Sequence, residues 1–274
     1  MLDGRTRVLV IIGDPIAQVK SPAGVTRALA AQGRNAVVLP IHVTSQDVDA
    51  FVRGFSVAKN VDGIIATIPH KFAAYAHCAT ATERAHFLTS VNTLRRNADG
   101  SWHGDAVDGV GFVDSMHEVG VDPRGKRVLV VGAGGAGSAI ALALLDAGAS
   151  ALAIHDADAA RRDTLVARLA SLGRAPVGGG SDDPAGFEVV VNATPTGMRE
   201  GDPLPVRIDR LARTAFAGDV ITAPAVTPFI EAARKRGCAT QVGGGMFEGV
   251  MKRIVAFLLE AGPLATAEGR EATR

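Results

Sequence analysis

Short apolar runs alternate with stretches of helical periodicity through the first part of the chain. Residues 8–12, 36–41 and 63–68 predict three buried strands, and residues 22–32 and 46–55 predict the helices between them. Strands that alternate with helices are typical of a parallel sheet whose connections cross its faces. The pattern therefore predicts an α/β domain at the N-terminal end of the chain.

The same alternation continues between residues 127 and 156, with a glycine loop inside it. Residues 128–131 read Val-Leu-Val-Val, as expected of a central parallel strand buried on both faces. Gly132, Gly134 and Gly137 follow in the spacing G-x-G-x-x-G, and a helix rich in Ala and Leu comes next. Glycines at this spacing permit a tight turn, a close approach of backbone to a pyrophosphate, and close helix–strand packing. The segment predicts a dinucleotide site at the N-terminus of that helix.

A carboxylate extends the dinucleotide pattern. Asp156 follows the next predicted strand and lies 24 residues after Gly132. A carboxylate at this distance can accept hydrogen bonds from both hydroxyls of the adenosine ribose, and it repels a 2′-phosphate. Methyltransferases share a similar loop, so the glycines alone indicate a nucleotide-like ligand rather than a hydride donor.

Composition narrows the class of protein. With 274 residues, 47% of them hydrophobic, the chain is long enough for two ordinary domains with real cores. Lys and Arg (29) nearly balance Asp and Glu (28), so no charge pattern predicts nucleic acid or a membrane surface as a partner. The first apolar run is too short for a signal peptide or a membrane span. Cys78 and Cys238 fit no metal-ligand spacing, so we expect free thiols, no metal and a cytoplasmic location.

Polar residues follow the third predicted strand. Thr67-Ile68-Pro69-His70-Lys71 stands where the carboxyl end of a parallel strand meets its loop, the edge at which α/β proteins bind ligands. Lys71 is therefore a candidate for chemistry, although a solvated surface lysine is the ordinary interpretation of any single lysine. Earlier in the chain, Ser21 precedes Pro22 and is the predicted N-cap of the first helix.

With these motifs in view, the chain resembles the shikimate dehydrogenase family along nearly its whole length. Residues 13–22, GDPIAQVKSP, resemble the family's G-x-P-x-x-x-S-x-S-P, and residues 63–71, GIIATIPHK, resemble G-x-N-V-T-x-P-x-K. Further motifs follow in the family's order: V-N-T at 91–93, Gly104 with Asp108 for G-x-N-T-D, N-A-T-P-T-G-M at 192–198, and Asp219, Pro224 and Thr227-Pro228 for D-x-x-Y-x-P-x-x-T-P.

The resemblance implies an α/β protein of two domains with a site in the cleft between them. Residues 1–108 and 246–274 would form the substrate-binding and catalytic domain, and residues 109–245 a Rossmann NAD(P)-binding domain with a parallel sheet. The family's catalytic pair carries onto Lys71 and Asp108, and an alcohol oxidation needs such a proton-transfer group as hydride leaves. Substrate positions carry onto Ser21 for a carboxylate, Thr67 and Asn92 for hydroxyls, and Thr222 and Val250. The predicted cofactor contacts are Gly132, Ala133, Gly134, Gly135, Ala136, Gly137, Asp156, Asn192, Thr194, Val220 and Gly243.

Several positions depart from the family pattern, and most of them lose a polar group. Val19 stands where the family has a carboxylate-binding serine, and Ile65 where it has an asparagine. Thr222 replaces a tyrosine and Val250 a glutamine, while Ala106 and Val107 replace the Asn-Thr pair before Asp108; Gln18, Gln241 and Glu248 are nearby residues that could substitute. Each missing hydrogen-bond donor makes the binding free energy of a substrate hydroxyl or carboxylate less favourable by about 1–3 kcal/mol. We therefore expect a substrate less hydroxylated than shikimate.

The cofactor segment departs as well. NADP-using members resemble one another in N-R-T after the second Rossmann strand, whereas this chain has Asp156-Ala157-Asp158. We therefore expect NAD, with NADP possible because Arg161 or Arg162 could reach a 2′-phosphate.

The leading hypothesis is an NAD(P)-dependent dehydrogenase of the shikimate or quinate type, which would belong to aromatic amino-acid biosynthesis. Its partner would be a small hydroxy acid, and relatives suggest a homodimer. The alternatives are a regulatory protein of the same fold that senses NAD(P) without turnover, and a methyltransferase.

Overall fold

The structure, a computed structural model, describes residues 2–266. The chain forms two compact units, Met1–Val107 with Met251–Arg274, and Asp108–Val250. The first junction lies one residue before the predicted domain limit, and the last lies five residues after it. Residues 267–274 of the predicted substrate domain lie outside the described residues.

A mixed six-stranded sheet forms the frame of the first unit, in the order β2-β1-β3-β5-β6-β4. Strands β1, β2 and β3 are parallel, as predicted, whereas β5 runs antiparallel to both β3 and β6. The elements in chain order are β1 (Arg7–Gly13), α1 (Ser21–Ala31), β2 (Ala36–His42), α2 (Val48–Ser56), β3 (Val61–Ala66), α3 (Lys71–Tyr75), β4 (Thr80–Ala81), α4 (Glu83–Leu88), β5 (Thr93–Arg96) and β6 (Trp102–Asp105).

Residues 102–108 contain no sustained apolar run and on that ground predict a loop before Asp108, but residues 102–105 form strand β6. Its sequence Trp-His-Gly-Asp has no apolar run, but a tight turn folds it back against β5, with Asn97 N donating to Ser101 O at 2.8 Å. Gly100 occupies a left-handed conformation in that turn, with φ of 86°. Residues 91–94 predict a further strand, which overlaps β5, and the Asp-Gly pair at 99–100 is a hairpin signal that could have predicted β6 as its partner.

The second unit is a Rossmann fold. Its six strands are all parallel in the order β12-β11-β10-β7-β8-β9, which is the doubly wound order with β7 and β10 at the switch point. The elements are α5 (Asp108–Glu118), β7 (Arg127–Val131), α6 (Gly135–Asp146), β8 (Ala151–His155), α7 (Ala159–Ala170), β9 (Val177–Gly179), β10 (Val189–Asn192), a short 3₁₀ helix (Ile208–Arg210), β11 (Phe216–Asp219), α8 (Pro228–Arg236), β12 (Ala239–Gln241) and α9 (Gly243–Glu260).

The apolar pair Val220-Ile221 predicts a last inner strand at those residues, but the strand lies earlier in the structure. Strand β11 is Phe216–Asp219, and it stops there because its neighbour β10 ends at Asn192, level with Asp219. Val220 and Ile221 are apolar, but they form the beginning of the loop that follows the strand.

Glycines let the helices of the second unit approach closely. A Cβ on Gly109 would collide with Ala139 O, so α5 can lie directly against α6 only because residue 109 is glycine. Phe112 of α5 is fully buried and fills the space above Gly218, where a Cβ would lie 2.6 Å from the ring. The core thus forms around the central strands, which are buried along most of their length. Within residues 2–266 no helix is both long enough and apolar enough to cross a membrane.

Candidate functional site

Three neighbouring parallel strands of the first unit end at the same level. Gly13 at the end of β1 pairs with His42 at the end of β2, and Thr67 follows β3 with its amide donating to Ile12 O at 3.0 Å. A Cβ on Gly13 would lie 2.6 Å from Thr67 Cγ2, so glycine makes room for the threonine side chain. His42, Gly13 and Thr67 therefore form one row across the carboxyl edge of this sheet.

Lys71 begins α3 at that edge and is half-buried. Its carbonyl accepts a hydrogen bond from Val91 N at 3.0 Å, which ties it to the V-N-T segment. The preceding residue, His70, is buried, and its Nε2 lies 2.6 Å from Val43 O. Hydrogen bonds on both sides thus fix the backbone from which the Lys71 side chain projects.

Asn92 holds the segment that leads to α5. Its side chain is buried, and its Oδ1 accepts from Val107 N at 3.0 Å. Asp105 Oδ1 accepts from Ala106 N at 2.7 Å, and Arg84 pairs with both oxygens of that carboxylate. Residues 106 and 107 are therefore held by their backbone amides, without the polar side chains of the family motif.

Ser21 is the first residue of α1 and not its N-cap, which corrects the prediction. Lys20 occupies the N-cap position, with φ and ψ already helical at −102° and −16°, and no side chain caps this end. Among the described residues, the Ser21 hydroxyl makes no hydrogen bond. A half-buried hydroxyl that does not cap the helix can serve a ligand.

In the second unit, the glycine loop lies between β7 and α6. Gly132 has φ of 106°, and a Cβ there would lie 2.8 Å from Ala193 O, so only glycine fits both its conformation and its surroundings. A Cβ on Gly137 would collide with Gly132 O, which explains the third glycine. Gly134 differs because it has an ordinary negative φ and nothing lies within 4 Å of its Cβ position.

The open space at Gly134 fits a dinucleotide pyrophosphate. Gly134 is the N-cap of α6, so the amides of Gly135 and Ala136 at the first turn are suitable donors for phosphate oxygens. The protein itself does not require glycine at 134, whereas a backbone–phosphate contact does. A bound dinucleotide would be held by residues 132–137.

Asp156 holds the glycine loop in place. Its Oδ2 accepts from Ala133 N at 2.7 Å and its Oδ1 from Asp158 N at 2.8 Å, while Arg161 Nη2 lies 3.4 Å from Oδ1. Burial acts to raise the pKa of Asp156, but the two amide hydrogen bonds and Arg161 outweigh it and lower the pKa. The carboxylate is therefore ionised at neutral pH.

A buried polar network lies at the ends of β10 and β11. Asn192 is fully buried; its Oδ1 accepts from Thr194 Oγ1 at 2.6 Å, and its Nδ2 donates to Thr196 O and to the Asp219 carboxylate. Thr227, the N-cap of α8, donates from its hydroxyl to Asp219 Oδ2 at 2.6 Å. The side chains of Asn192 and Thr194, predicted to contact cofactor, thus shape the loop that would do so.

Asp219 is absent from the predicted site, although it organises this network. Burial raises the pKa of its carboxyl, and hydrogen bonds from Thr227, the Ile221 amide and Asn192 oppose that rise. The available signal was a lone carboxylate inside the apolar stretch 215–221, AFAGDVI. Such a residue must find hydrogen-bond donors when it is buried.

The other predicted positions of the second unit lie around α5 and α9. Val220 and Thr222, both half-buried, follow β11, and a Cβ on Gly243 would collide with Ile221 O, so α9 starts directly against that loop. On α9, Val250 packs its backbone over Gly111 of α5, where a Cβ would lie 2.5 Å from Val250 N. Asp108 begins α5 and is half-buried.

Residues 2–266 contain no group of three His, Cys, Asp or Glu side chains that could hold a metal ion. Cys78 and Cys238 are free thiols, and burial raises the pKa of Cys78 to about 12 and raises that of Cys238 as well. Neither thiol is therefore an activated nucleophile. The candidate residues are Lys71, Ser21, Thr67 and Asn92 in the first unit, and the glycine loop at the N-terminus of α6 in the second.

The chain is similar to known proteins in sequence and in fold. Residues 11–94 match the family model described as shikimate dehydrogenase substrate binding domain. Over 247 residues the chain is 38% identical to a protein of Rubrobacter xylanophilus named shikimate dehydrogenase (NADP(+)), covering 88% of this chain and 87% of that protein. The solved 5-ketofructose reductase of Gluconobacter sp. strain CHM43 is 28% identical with a TM-score of 0.87, covering 96% of each chain. The shikimate 5-dehydrogenase of Listeria monocytogenes, solved with shikimate and NAD, is 26% identical with the same TM-score and coverage.

Proposed function

The chain belongs to the shikimate dehydrogenase family, and from that premise we propose that it oxidises a secondary alcohol of a shikimate-like or quinate-like hydroxy acid with NAD. We further propose that the substrate carries fewer hydroxyl groups than shikimate. The observation that carries the proposal is the position of Lys71, which is fixed at the carboxyl edge of the first sheet, near Thr67 and joined to the Val91-Asn92 segment.

Lys71 and Asp108 are the proposed acid–base pair. As hydride leaves the carbinol carbon, the hydroxyl proton passes to Nζ of Lys71, and in reduction the protonated amine returns it to the carbonyl oxygen. A bound nicotinamide cofactor supplies the hydride acceptor. Ser21 would donate its hydroxyl proton to the substrate carboxylate, and Thr67 and Asn92 would hold substrate hydroxyls.

The reduced hydroxylation of the substrate is inferred from two apolar positions of the first unit. Ile65 is buried on β3, level with Thr93 on β5, and the Thr93 hydroxyl is fully buried with no hydrogen-bond partner among the described residues. Val19 lies in a mostly apolar groove, which is also lined by Ile16, Ala17, Lys20, Pro22, Ala23 and Pro40. An apolar surface of this kind leaves substrate hydroxyls without partners, which disfavours a fully hydroxylated ring.

The proposed preference for NAD depends on charges at the end of β8. Arg161 lies 3.4 Å from Asp156 and 3.6 Å from Asp158, so two carboxylates and one guanidinium leave a net negative charge there. Arg162, the other arginine that could reach a 2′-phosphate, pairs with Asp163 at 2.8 Å. The name of the R. xylanophilus relative specifies NADP(+), which argues for the phosphorylated cofactor. The proposed preference for NAD therefore depends only on the charged residues of this chain.

A substrate screen tests the proposal. Purified protein is given shikimate, quinate and less hydroxylated ring acids, each with NAD and with NADP, and absorbance of the reduced cofactor is followed. We expect turnover with at least one acid, faster with NAD than with NADP. A tenfold preference for NADP in kcat/KM would contradict the cofactor assignment. NADH binding by fluorescence without turnover of any acid would instead support the sensor alternative.

A further inference from the structure

A histidine–carboxylate pair at the edge of the first sheet has no role in the proposed reaction. His42 Nε2 lies 2.8 Å from Asp14 Oδ1, at the ends of the neighbouring strands β2 and β1. The His42 side chain is 57% exposed and that of Asp14 is 38% exposed, so both are accessible to a small molecule. Among the described residues, the His42 ring makes no other hydrogen bond.

The pair fixes which nitrogen of His42 carries the proton. The carboxylate of Asp14 can only accept hydrogen bonds, so Nε2 must be the protonated nitrogen of a neutral His42 ring. Nδ1 is then a lone-pair acceptor, and the contact with Asp14 keeps the ring from turning freely. The edge therefore presents one oriented acceptor nitrogen.

The position of His42 relates it to the proposed substrate site. His42 and Gly13 end the neighbouring strands β2 and β1, and Thr67 directly follows β3 at the same level. Residues level with one another on parallel strands project to the same face. Two strand spacings separate His42 from Thr67, about 10 Å between Cα atoms. Gly13 lies between them, and Thr67 Cγ2 lies 2.6 Å from where a Cβ of Gly13 would be, so the Thr67 side chain leans toward Gly13 on this face. A polar side chain thus stands on each side of Gly13.

We propose that His42 Nδ1 accepts a hydrogen bond from a substrate hydroxyl on the side of the ring away from Thr67, and that Asp14 is the residue that positions it. The inference rests on the proposed function, because it assigns a further specificity residue to the same site. A hydroxyl is the appropriate partner since Nδ1 is an acceptor, and the nearby Asp14 carboxylate disfavours an anionic group. The proposed site thus has a hydroxyl-binding side chain at His42, whereas Ile65 and Val19 are apolar at positions where the family has polar residues.

Binding measurements with matched ligands test this assignment. Dissociation constants of shikimate, quinate and the three monodeoxy analogues of shikimate are measured calorimetrically for the wild type and His42→Leu. We expect His42→Leu to weaken shikimate roughly three- to tenfold, the value of one neutral hydrogen bond. One deoxy analogue should bind both proteins equally, because it lacks the hydroxyl that His42 holds. His42→Gln, which keeps an acceptor oxygen, should recover part of the loss.

Nitrogen NMR of the His42 ring tests whether Asp14 positions it. In ¹⁵N spectra of the wild-type ring, Nδ1 should show the shift of an unprotonated nitrogen that moves on ligand binding, and Asp14→Asn should change that pattern. His117 is the control, since it also faces a carboxylate, Asp122 at 3.8 Å, but lies at the end of α5. His117→Leu should leave every dissociation constant unchanged.

Each alternative result is informative. Equal weakening of all analogues, or none, together with an Nδ1 resonance that ignores the ligand, would overturn the assignment of His42. If the wild type oxidises a hydroxy acid normally in that case, the proposed function stands and this inference alone fails. If the wild type neither binds nor oxidises shikimate, quinate or their analogues, both the proposed function and the assignment of His42 are wrong.

Discussion

The carboxyl edges of the two sheets use their polar side chains in opposite ways. In the second unit, Asp156, Asn192 and Asp219 make their hydrogen bonds with the protein's own loops. In the first unit, the His42 ring is more than half exposed, and the Ser21 and Thr67 hydroxyls make no hydrogen bond among the described residues. An edge held by its own side chains binds ligands through backbone amides, whereas an edge that presents side chains sets specificity and can change with a few substitutions.

The largest predicted effect is on chemistry at the first edge. Lys71→Ala should lower kcat about 10²- to 10⁴-fold, because general acid–base catalysis contributes that much, while the affinity for NAD stays nearly constant. Lys71→Met tests the same point with the alkyl stem retained, and Asp108→Asn should also be damaging but much less than additive with Lys71→Ala. Stopped-flow turnover and NADH fluorescence measure the two quantities.

Lys59 provides the control for Lys71. It is exposed and stands before the other end of β3, so Lys59→Ala should leave kcat unchanged. A Lys71→Ala enzyme with most of its activity would show that the family role does not apply to this residue.

At the second edge, we expect stability to depend on Asp219. Asp219→Asn removes one acceptor oxygen from a buried network of donors, which should lower the free energy of unfolding by about 1–3 kcal/mol. Urea unfolding measures the change, and the exposed residue Asp209 provides the control, since Asp209→Asn should change stability by less than about 0.5 kcal/mol.

The pH dependence of unfolding gives a second test of Asp219. Because burial raises the pKa of its carboxyl in the folded state, folding takes up a proton. This contribution is most favourable at low pH and declines as pH rises from the ordinary value of 3.8 to the raised one. Asp219→Asn should flatten the curve in that range, and an unchanged slope would contradict the assigned cause.

Cofactor choice should show a smaller effect at the same edge. Asp156→Ala removes the acceptor for the Ala133 amide, so some affinity is lost for NAD and NADP alike. The ratio of the two dissociation constants is therefore the informative quantity, and we expect it to move toward NADP by roughly tenfold. Asp209→Ala, at an exposed position of the short 3₁₀ helix, is the control. A ratio that stays constant would mean that Asp156 only holds the loop.

The smallest expected change is a gain at the first edge. Val19→Ser with Ile65→Asn should raise kcat/KM for shikimate several-fold, and the introduced amide on β3 would also give the buried Thr93 hydroxyl a partner. Val57→Ser, at an exposed position, is the control. Wild-type kcat/KM for shikimate above about 10⁴ M⁻¹s⁻¹ would contradict the substrate proposal.

Local patterns were enough to predict the frame of the protein. The all-apolar runs of β1, β3 and β7 and the glycine loop before α6 are signals that lie within a few consecutive residues, and the structure confirms these elements. They also placed Lys71 at the end of a strand. The family follows from motifs of the same short range, as the 38% identity to the R. xylanophilus protein confirms.

Only the tertiary structure decided which side chains serve the protein and which remain for a ligand. Asp219 is hydrogen-bonded to Asn192, 27 residues away in the sequence, and His42 to Asp14, 28 residues away. Local periodicity cannot predict hydrogen bonds between residues so far apart. Strand β6 depends on its neighbour β5 as well, because a short polar strand is stable only when another strand supplies its hydrogen bonds. Hydrogen-bond partners follow from strand order and register, and these are fixed only when the whole sheet assembles.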